Sequence, residues 1–189
     1  MRDNIEEFKS LRDIDLAFFD LEFSGLDFSH EIIEIGVIIV DHRDFKIEDE
    51  ISMRVKMRHP EKADAESLKM AGYDDELWKD AYELKDALKI LAEKTHGLVF
   101  VGFNYSLDWA RLEKAFFDCG MQAPYFRRKL DVLSMAYSRL YGDKKIKAFA
   151  LSELCRYFDI PRGRPHSALD DALAAYQIFV KLMDYEKEK

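Results

Sequence analysis

Two carboxylates lie two residues apart where an apolar stretch gives way to a turn. Leu16–Phe19 has the composition of a buried strand, and Asp20 and Glu22 interrupt it just before Ser24 and Gly25. Because side chains alternate along a strand, both carboxylates point to the same side of it. Two like charges held close together are costly to desolvate, and a divalent ion that prefers oxygen ligands, Mg²⁺ or Mn²⁺, would compensate them. The alternative interpretation is a strand that runs out into a solvated acidic loop.

A third carboxylate, Asp108, lies in the first turn of a predicted helix that follows a short buried strand. Stabilisation of the helix dipole is a common reason for an aspartate at this place. However, Asp108 shares a helical stripe with Leu112, Ala115 and Phe116. The periodicity therefore predicts that Asp108 lies on the apolar side of the helix rather than the solvent side.

The last predicted helix begins with two consecutive aspartates, which the helical periodicity separates. Asp170 shares a stripe with polar residues and follows Ser167 by three positions, the spacing of a capping box. Asp171 shares a stripe with Ala172 and Ala175, and such small residues let a helix approach a sheet closely. Asp171 is therefore predicted to point inward, where an unpaired carboxylate is costly unless its charge is compensated.

One histidine, His166, lies on the loop before this helix, and Pro161, Gly163 and Pro165 hold that loop open. A histidine at such a place often serves only as a local hydrogen-bonding residue. Four inward acids can instead hold two divalent ions about 3.5–4 Å apart, an arrangement that clamps the attacking and leaving oxygens of a phosphodiester. A nearby histidine can then take the proton of the attacking water. None of the short segments that hold the four acids supplies a basic partner for them.

The elements that would position these residues follow from the periodicity. Short apolar runs predict an antiparallel meander of three strands at Asp15–Asp20, Glu31–Val40 and Ile51–Met57. A fourth, buried strand is predicted at Gly97–Gly102. Helical spacing predicts six helices, at Ala63–Ala71, Tyr82–Thr95, Ser106–Cys119 (with Ser106 as its cap), Leu133–Tyr141, Phe149–Phe158 and Ser167–Met183. This order predicts an α/β fold in which helices cover both faces of a mixed sheet.

The composition limits the class of protein. The 189 residues, 48% of them hydrophobic, predict one domain with a core at about 14–184 and charged tails at both ends. Two cysteines without CxxC spacing and the lack of a signal peptide or a membrane-length apolar run predict a cytoplasmic protein that does not bind membranes.

The net charge of −8 means that any contact with nucleic acid must be local. The candidates are a few basic residues, some of them beside aromatic ones, although for each of them a solvated surface position is the simpler explanation. They are Arg127, Arg128 and Lys129 beside Tyr125 and Phe126, then Lys144, Lys145 and Lys147, and Arg162 and Arg164 beside His166.

Three segments together resemble a known family. Asp20-Leu-Glu22-Phe-Ser-Gly25-Leu26 resembles the first motif of the DnaQ-like, or DEDDh, 3′→5′ exonucleases, Asn104 to Asp108 the second, and His166 to Asp171 the third. The resemblance runs from about Leu16 to Leu182. It implies an RNase H-like mixed sheet with three antiparallel strands followed by parallel ones. It also implies metal binding by Asp20, Glu22, Asp108 and Asp171, and a general base at His166.

The resemblance further implies a site for the terminal nucleotide. The residues expected there are Phe23, Ser24, Leu26, Phe103 and Asn104. Phe23 stands where the family usually has a small residue, and Phe103 where bacterial proofreading members often have histidine. Apolar contacts and stacking accept either sugar, so we expect DNA to be degraded at least as well as RNA.

The predicted function is a metal-dependent 3′→5′ exonuclease that uses two ions of Mg²⁺ or Mn²⁺ and releases nucleoside 5′-monophosphates from single-stranded ends. An oligoribonuclease is the alternative, because the Asp-Leu-Glu start also resembles that group. A non-catalytic module bound to a polymerase is a third interpretation, which the intact acids oppose. Single-stranded 3′ ends and a DNA polymerase are the candidate partners, and the oligomeric state is left open.

Overall fold

The computed structural model describes residues 10–124 and 128–185. In these residues, five strands form one mixed sheet in the order β3-β2-β1-β4-β5. β1 pairs antiparallel with β2 and β2 with β3, whereas β4 is parallel to β1 and β5 is parallel to β4. The strands are β1 Leu16–Phe23, β2 Ile32–Val40, β3 Ile47–Arg54, β4 Val99–Gly102 and β5 Lys129–Asp131. The predicted RNase H-like arrangement of three antiparallel strands followed by parallel strands is thereby confirmed.

Helices cover both faces of the sheet. They are α1 Ala65–Ala71, α2 Leu84–Lys94, α3 Ser106–Asp118, α4 Val132–Leu140, α5 Leu151–Tyr157 and α6 Ala168–Met183, with short 3₁₀ turns at Leu11–Asp13 and Pro60–Lys62. One core lies between the sheet and α4, α5 and α6, and contains Phe18 and Ile38. The other lies under α2 and α3 and contains Phe19 and Val37. The alternation of side chains along β1 and β2 thus separates the two cores.

Three local predictions were wrong. The third strand begins at Ile47 rather than Ile51, because it is an edge strand whose first residues are exposed and show little periodicity. Tyr105, not Ser106, is the N-cap of α3, and its side chain makes no capping bond. Ser167 likewise makes no capping bond to α6. Residues 1–9 of the charged N-terminal segment lie outside the described residues.

The described part of the chain contains no helix with the length and apolar character needed to cross a membrane.

Candidate active site

The β1–β2 pair places three carboxylates on the face of the sheet that α6 covers. Asp20 lies opposite Gly36 and Glu22 opposite Glu34, and a register shift follows directly after Glu22. Asp20 and Glu22 are half-buried, and Glu34 is fully buried. The prediction that Asp20 and Glu22 share one side of the strand agrees with this register.

Asp108 reaches the same place from the other side of β1. β4 pairs only with Leu16–Phe18 of β1, so the last residues of β1 extend beyond β4 on that edge. A tight turn, in which Asn104 has a positive φ of 52° and donates its backbone N–H to the Asp131 carboxylate (2.9 Å), leads from β4 into α3. In the first turn of α3, the Asp108 carboxylate accepts the backbone N–H of Leu21.

Asp171 lies in the first turn of α6, and His166 lies on the loop just before that helix. Asp171 is 7% exposed, as its helical stripe predicts. His166 has a positive φ of 61°, and its backbone N–H donates to the Asp171 carboxylate (3.3 Å). One potential ligand atom from each of Glu22, His166 and Asp171 lies within 4.8 Å of the others. Residues from β1, from α6 and from the loop before α6 therefore form one cluster of potential metal ligands, although β1 is far from the other two in sequence.

The pKa values of Asp20, Glu22 and Asp108 are raised above their usual values. Desolvation is the main cause that raises the pKa of Asp20 well above its usual value, and the negative charges of Asp108, Glu22, Asp171 and Glu34 raise it further. Desolvation, with Asp171, Glu34 and Asp108, raises the pKa of Glu22 to about 8. Desolvation raises the pKa of Asp108 to about 6, although its backbone hydrogen bonds and Arg111 act in the opposite direction. Concentrated negative charge of this kind favours a bound cation.

Two arginines from the loop before α6, outside the segments that hold the four predicted acids, supply basic partners that the sequence interpretation did not identify. The Arg162 guanidinium donates to both oxygens of Asp171, with its closest contact at 2.7 Å. Arg164 approaches Glu34 to 4.0 Å and donates to the Ala71 carbonyl at 3.3 Å. Neither pair could be read from the motifs, because each arginine side chain reaches across a loop or onto another element.

Glu34 is an acid that the sequence interpretation did not include in the site. It is 4% exposed, and its Oε2 atom has no hydrogen-bond partner among the residues that the structure describes. Desolvation raises its pKa, whereas the backbone N–H of Ala168 at the start of α6, Arg164 and Arg54 lower it. Its signal was visible as the one charge within the apolar run Ile32–Val40. Since the side chain of Ser167 makes no cap, Glu34 supplies an acceptor at the N-terminus of α6 from a neighbouring strand.

Asp170 also has a role that its polar stripe did not predict. It is half-buried, and its carboxylate accepts the backbone N–H of Arg164 at 3.0 Å. A Cβ at Gly163 would lie 2.2 Å from Asp170 Oδ1, so the loop passes directly over this carboxylate. Asp170 therefore fastens the loop that holds His166, rather than facing solvent.

The residues expected at the terminal nucleotide lie in two segments. Leu26 is 78% exposed after the end of β1, and Phe23 is half-buried. Ser24 is 3% exposed, and its hydroxyl accepts the backbone N–H of Glu31. Phe103, which packs partly against the core, and the exposed Asn104 lie in the turn that leads to Asp108.

The buried Arg111 on α3 holds the first of these segments. Its guanidinium donates to the carbonyls of His30 (2.8 Å) and Leu26 (2.6 Å) and lies 4.6 Å from the ring centroid of Phe23. Desolvation lowers its pKa. The exposed position of Leu26 is thus fixed by a residue more than eighty positions away, which the sequence interpretation did not identify.

The other basic candidates lie on several elements. Lys144, Lys145 and Lys147 are exposed on the loop between α4 and α5, and the Lys129 ammonium lies 3.4 Å from the ring centroid of Trp109. Tyr125, Phe126 and Arg127 lie outside the described residues.

Comparisons with known proteins give a consistent result. The model of the RNase_T exonuclease family matches residues 17–179. A PolC-type DNA polymerase III from Caldanaerobacter subterraneus subsp. tengcongensis is 28% identical over 175 residues, which cover 92% of this chain and 12% of the polymerase. The chain thus spans only a small part of the length of the curated relatives that it matches.

Solved structures show that the fold is shared. The nuclease domain of 3′hExo, described as a DEDDh family member bound to rAMP, superposes with a TM-score of 0.71 at 18% identity, covering 89% of this chain and 91% of that one. Escherichia coli exonuclease I, solved in complex with a dT13 oligonucleotide, gives a TM-score of 0.74 at 15% identity, covering 89% of this chain and 41% of that one.

Proposed function

The chain belongs to the RNase_T exonuclease family, and we propose that it is a metal-dependent 3′→5′ exonuclease that releases nucleoside 5′-monophosphates from single-stranded ends, with DNA as a favoured substrate. The observation that carries this proposal is the convergence of Asp20, Glu22, Asp108 and Asp171, where desolvation and the neighbouring negative charges raise the pKa values of Asp20 and Glu22. Acids that repel one another in this way are unfavourable for folding, so their presence indicates a function.

The donor set fits Mg²⁺ or Mn²⁺. Carboxylate oxygens are the hard ligands that these ions prefer, and carboxylate oxygens of Glu22 and Asp171 lie within 4.8 Å of each other. When bound, two such ions would polarise the scissile phosphodiester and lower the pKa of the attacking water. We propose that Asp20, Glu22, Asp108 and Asp171 hold them.

His166 is the proposed general base. Its backbone is bound to Asp171, and a nitrogen of its imidazole lies within 4.8 Å of carboxylate oxygens of Glu22 and Asp171. From this position a ring nitrogen of His166 can accept a proton from the attacking water and then release it to solvent.

The terminal nucleotide is proposed to lie over Leu26 and Phe23. Leu26 offers an exposed apolar side chain, and Arg111 fixes the backbone beneath it. Phe103 and Asn104 lie at the start of the segment that ends in Asp108, where they could contact the terminal base. This placement uses stacking and apolar contact, which do not require a particular base.

The preference for DNA is supported by the state of Ser24. Recognition of a 2′-hydroxyl requires a polar group that is free to bond it. Ser24 was the only hydroxyl among the expected sugar contacts, and it is buried with its oxygen bonded to Glu31. An apolar pocket accepts both sugars, so we propose that DNA is degraded at least as fast as RNA.

A polymerase partner is a second proposal, carried by the similarity to PolC-type DNA polymerases over 92% of the chain. It predicts that the protein removes a mismatched 3′ nucleotide and thereby restores extension by a polymerase added to the reaction. If the mismatched nucleotide is removed but extension by the added polymerase stays blocked, the result would argue against a function that is coupled to a polymerase.

The decisive experiment compares matched DNA and RNA oligomers, from dinucleotides to twenty-mers, with a label at the 5′ end. We expect a ladder that shortens from the 3′ end, requires Mg²⁺ or Mn²⁺, and is lost in Asp171→Asn but kept in Asp118→Asn, an exposed aspartate on α3. Full activity in excess EDTA would falsify the metal proposal. A preference for RNA of about tenfold, or about 1.4 kcal/mol in the transition state, would favour an oligoribonuclease instead.

A further inference from the structure

We propose that Arg162 is an exchangeable cation, which occupies Asp171 while the divalent ion is absent and binds the substrate's phosphate once that ion has taken Asp171. This inference rests on the proposed function and assigns to Arg162 a role that the three motifs do not include.

The first step of the argument is that the Asp171 carboxylate is already saturated. Its Oδ1 accepts from Arg162 Nε (3.2 Å) and Nη2 (2.7 Å). Its Oδ2 accepts from Arg162 Nη2 (3.0 Å) and from the His166 backbone N–H (3.3 Å). An ionised carboxylate offers about four lone-pair sites, and these four contacts use them. A divalent ion that binds Asp171 must therefore displace a donor.

The second step identifies which donor leaves. The His166 N–H belongs to a backbone that is fastened nearby, where Arg164 N–H binds Asp170 and the loop passes over that carboxylate at Gly163. Arg162, in contrast, holds Asp171 through a long side chain. Within residues 10–124 and 128–185, the hydrogen bonds of its guanidinium go to Asp171 alone. Arg162 can leave by rotation of its side chain, without movement of the loop.

The third step concerns charge. Arg162 places one positive charge beside Asp171, in a cluster that also contains Glu22, Asp20 and Glu34. A divalent ion brings two charges directly to the carboxylate oxygens, so the exchange relieves more of the repulsion. The displaced guanidinium remains on the loop of His166, beside the proposed metal site at which the phosphate of a substrate would bind. Its planar fork matches two phosphate oxygens, which makes this phosphate its new acceptor.

The exchange predicts effects of opposite sign in one variant. Arg162→Gln removes the competing charge, so Mn²⁺ binding, measured by calorimetry without nucleic acid, is expected to become about 3- to 10-fold tighter, which is the scale of one ion pair. Binding of a fluorescein-labelled dT oligomer, measured by anisotropy in Ca²⁺, is expected to weaken about 3- to 10-fold, because one phosphate contact is lost. Arg162→Lys keeps the charge but not the planar fork. Its affinities for Mn²⁺ and for the oligomer should therefore lie between those of the wild type and those of Arg162→Gln. Arg156→Gln, on the exposed side of α5, is the matched control and should change neither quantity.

The outcomes separate this inference from the proposed function. Mn²⁺ binding that is unchanged or weaker in Arg162→Gln overturns the exchange, whatever the nuclease activity. Tighter Mn²⁺ binding with unchanged oligomer binding overturns the transfer of Arg162 to phosphate. If the wild type shows no metal-dependent nuclease activity but Arg162→Gln binds Mn²⁺ more tightly than the wild type, the proposed function is overturned and the ion exchange stays in place. Thermal unfolding of each variant confirms that it is folded.

Discussion

Gly36 lies directly beneath Ala168, the first residue of α6. A Cβ at Gly36 would come within 2.2 Å of the Ala168 carbonyl carbon, and Gly36 is also the residue that pairs with Asp20 across β1 and β2. The missing side chain therefore lets α6 approach the sheet next to Asp20. Gly36→Ala is expected to push α6 outward, lower the free energy of unfolding by about 1–3 kcal/mol, and greatly reduce exonuclease activity.

Chemical denaturation and initial rates on a labelled oligomer measure these two effects. Gly142→Ala is the control, because a Cβ at Gly142 meets no atom of the described part of the chain within 4 Å. A Gly36→Ala variant with the activity of the wild type would show that the approach of α6 does not set the position of Asp171.

The directions of Asp20, Glu22 and Asp171 could be predicted from sequence because their signals are local. Strand alternation places Asp20 with Glu22, and helical periodicity distinguishes Asp171, which is buried, from Asp170. The same reasoning missed β5, whose three residues are too few to show a period. It therefore captured the direction of side chains within one element, and the order and type of the longer elements.

The supporting residues could not be predicted, because each acts through a long side chain on another segment of the chain. Arg111 holds the carbonyl of Leu26, Glu34 accepts the backbone N–H of Ala168, and Arg162 binds Asp171. Sequence spacing carries no information on these contacts, since they depend on how the elements pack. The capping box of Ser167 and Asp170 failed for a similar reason: the preceding loop folds back and gives Asp170 another donor, the Arg164 N–H.

Asp20 is predicted to lower the stability of the metal-free protein. Desolvation and its neighbouring acids raise its pKa, so its ionised form is unfavourable in the folded state. Asp20→Asn removes this charge at nearly constant volume and should raise the free energy of unfolding by about 1–3 kcal/mol, or about 2–4 °C in Tm for each kcal/mol in a chain of this size. Thermal unfolding in EDTA measures the gain. Activity should be lost, and Asp118→Asn should change neither property. A destabilised Asp20→Asn variant would contradict this electrostatic account.

The stability of the metal-free protein should fall as the pH rises from about 5 to 8. The pKa of Glu22 is about 8 in the folded protein against a usual value of 4.5, so over this interval the folded state binds more protons than the unfolded chain. Stability due to Glu22 is then present at low pH and is lost as the pH rises toward 8. Denaturant unfolding in EDTA at several pH values measures the slope, which Glu22→Gln should reduce. Added Mg²⁺ should stabilise the protein more at pH 8 than at pH 5. Equal slopes in the wild type and Glu22→Gln would rule out Glu22 as the source.

His166 combines a catalytic assignment with an unusual backbone. Its φ of 61° is a conformation that asparagine also tolerates, so His166→Asn can keep the loop while removing the base. We expect kcat to fall about 10²–10⁴-fold, with Mn²⁺ affinity close to that of the wild type. His166→Ala should lose as much activity, with an additional cost in stability from its left-handed backbone. If His166→Asn kept kcat within a factor of two, another residue would have to be the base.

Glu34 is predicted to be a positioning residue, which acts on His166 and Asp171 through the start of α6. Its carboxylate accepts the Ala168 N–H and faces Arg164, so it connects β2 both to α6 and to the loop before it.

Glu34→Gln keeps an acceptor for Ala168 and removes a buried charge, so it should keep kcat within about threefold and gain stability. Glu34→Ala removes the acceptor, at a cost of about 1 kcal/mol for a lost helix cap, and leaves Arg164 without its acid. It should lower kcat at least about tenfold, or about 1.4 kcal/mol, with little change in KM, because the segment of Leu26 is held separately by Arg111. Steady-state kinetics of the two variants distinguish the roles. Equal losses in both would mean that the charge of Glu34, rather than its cap to α6, is what the site requires.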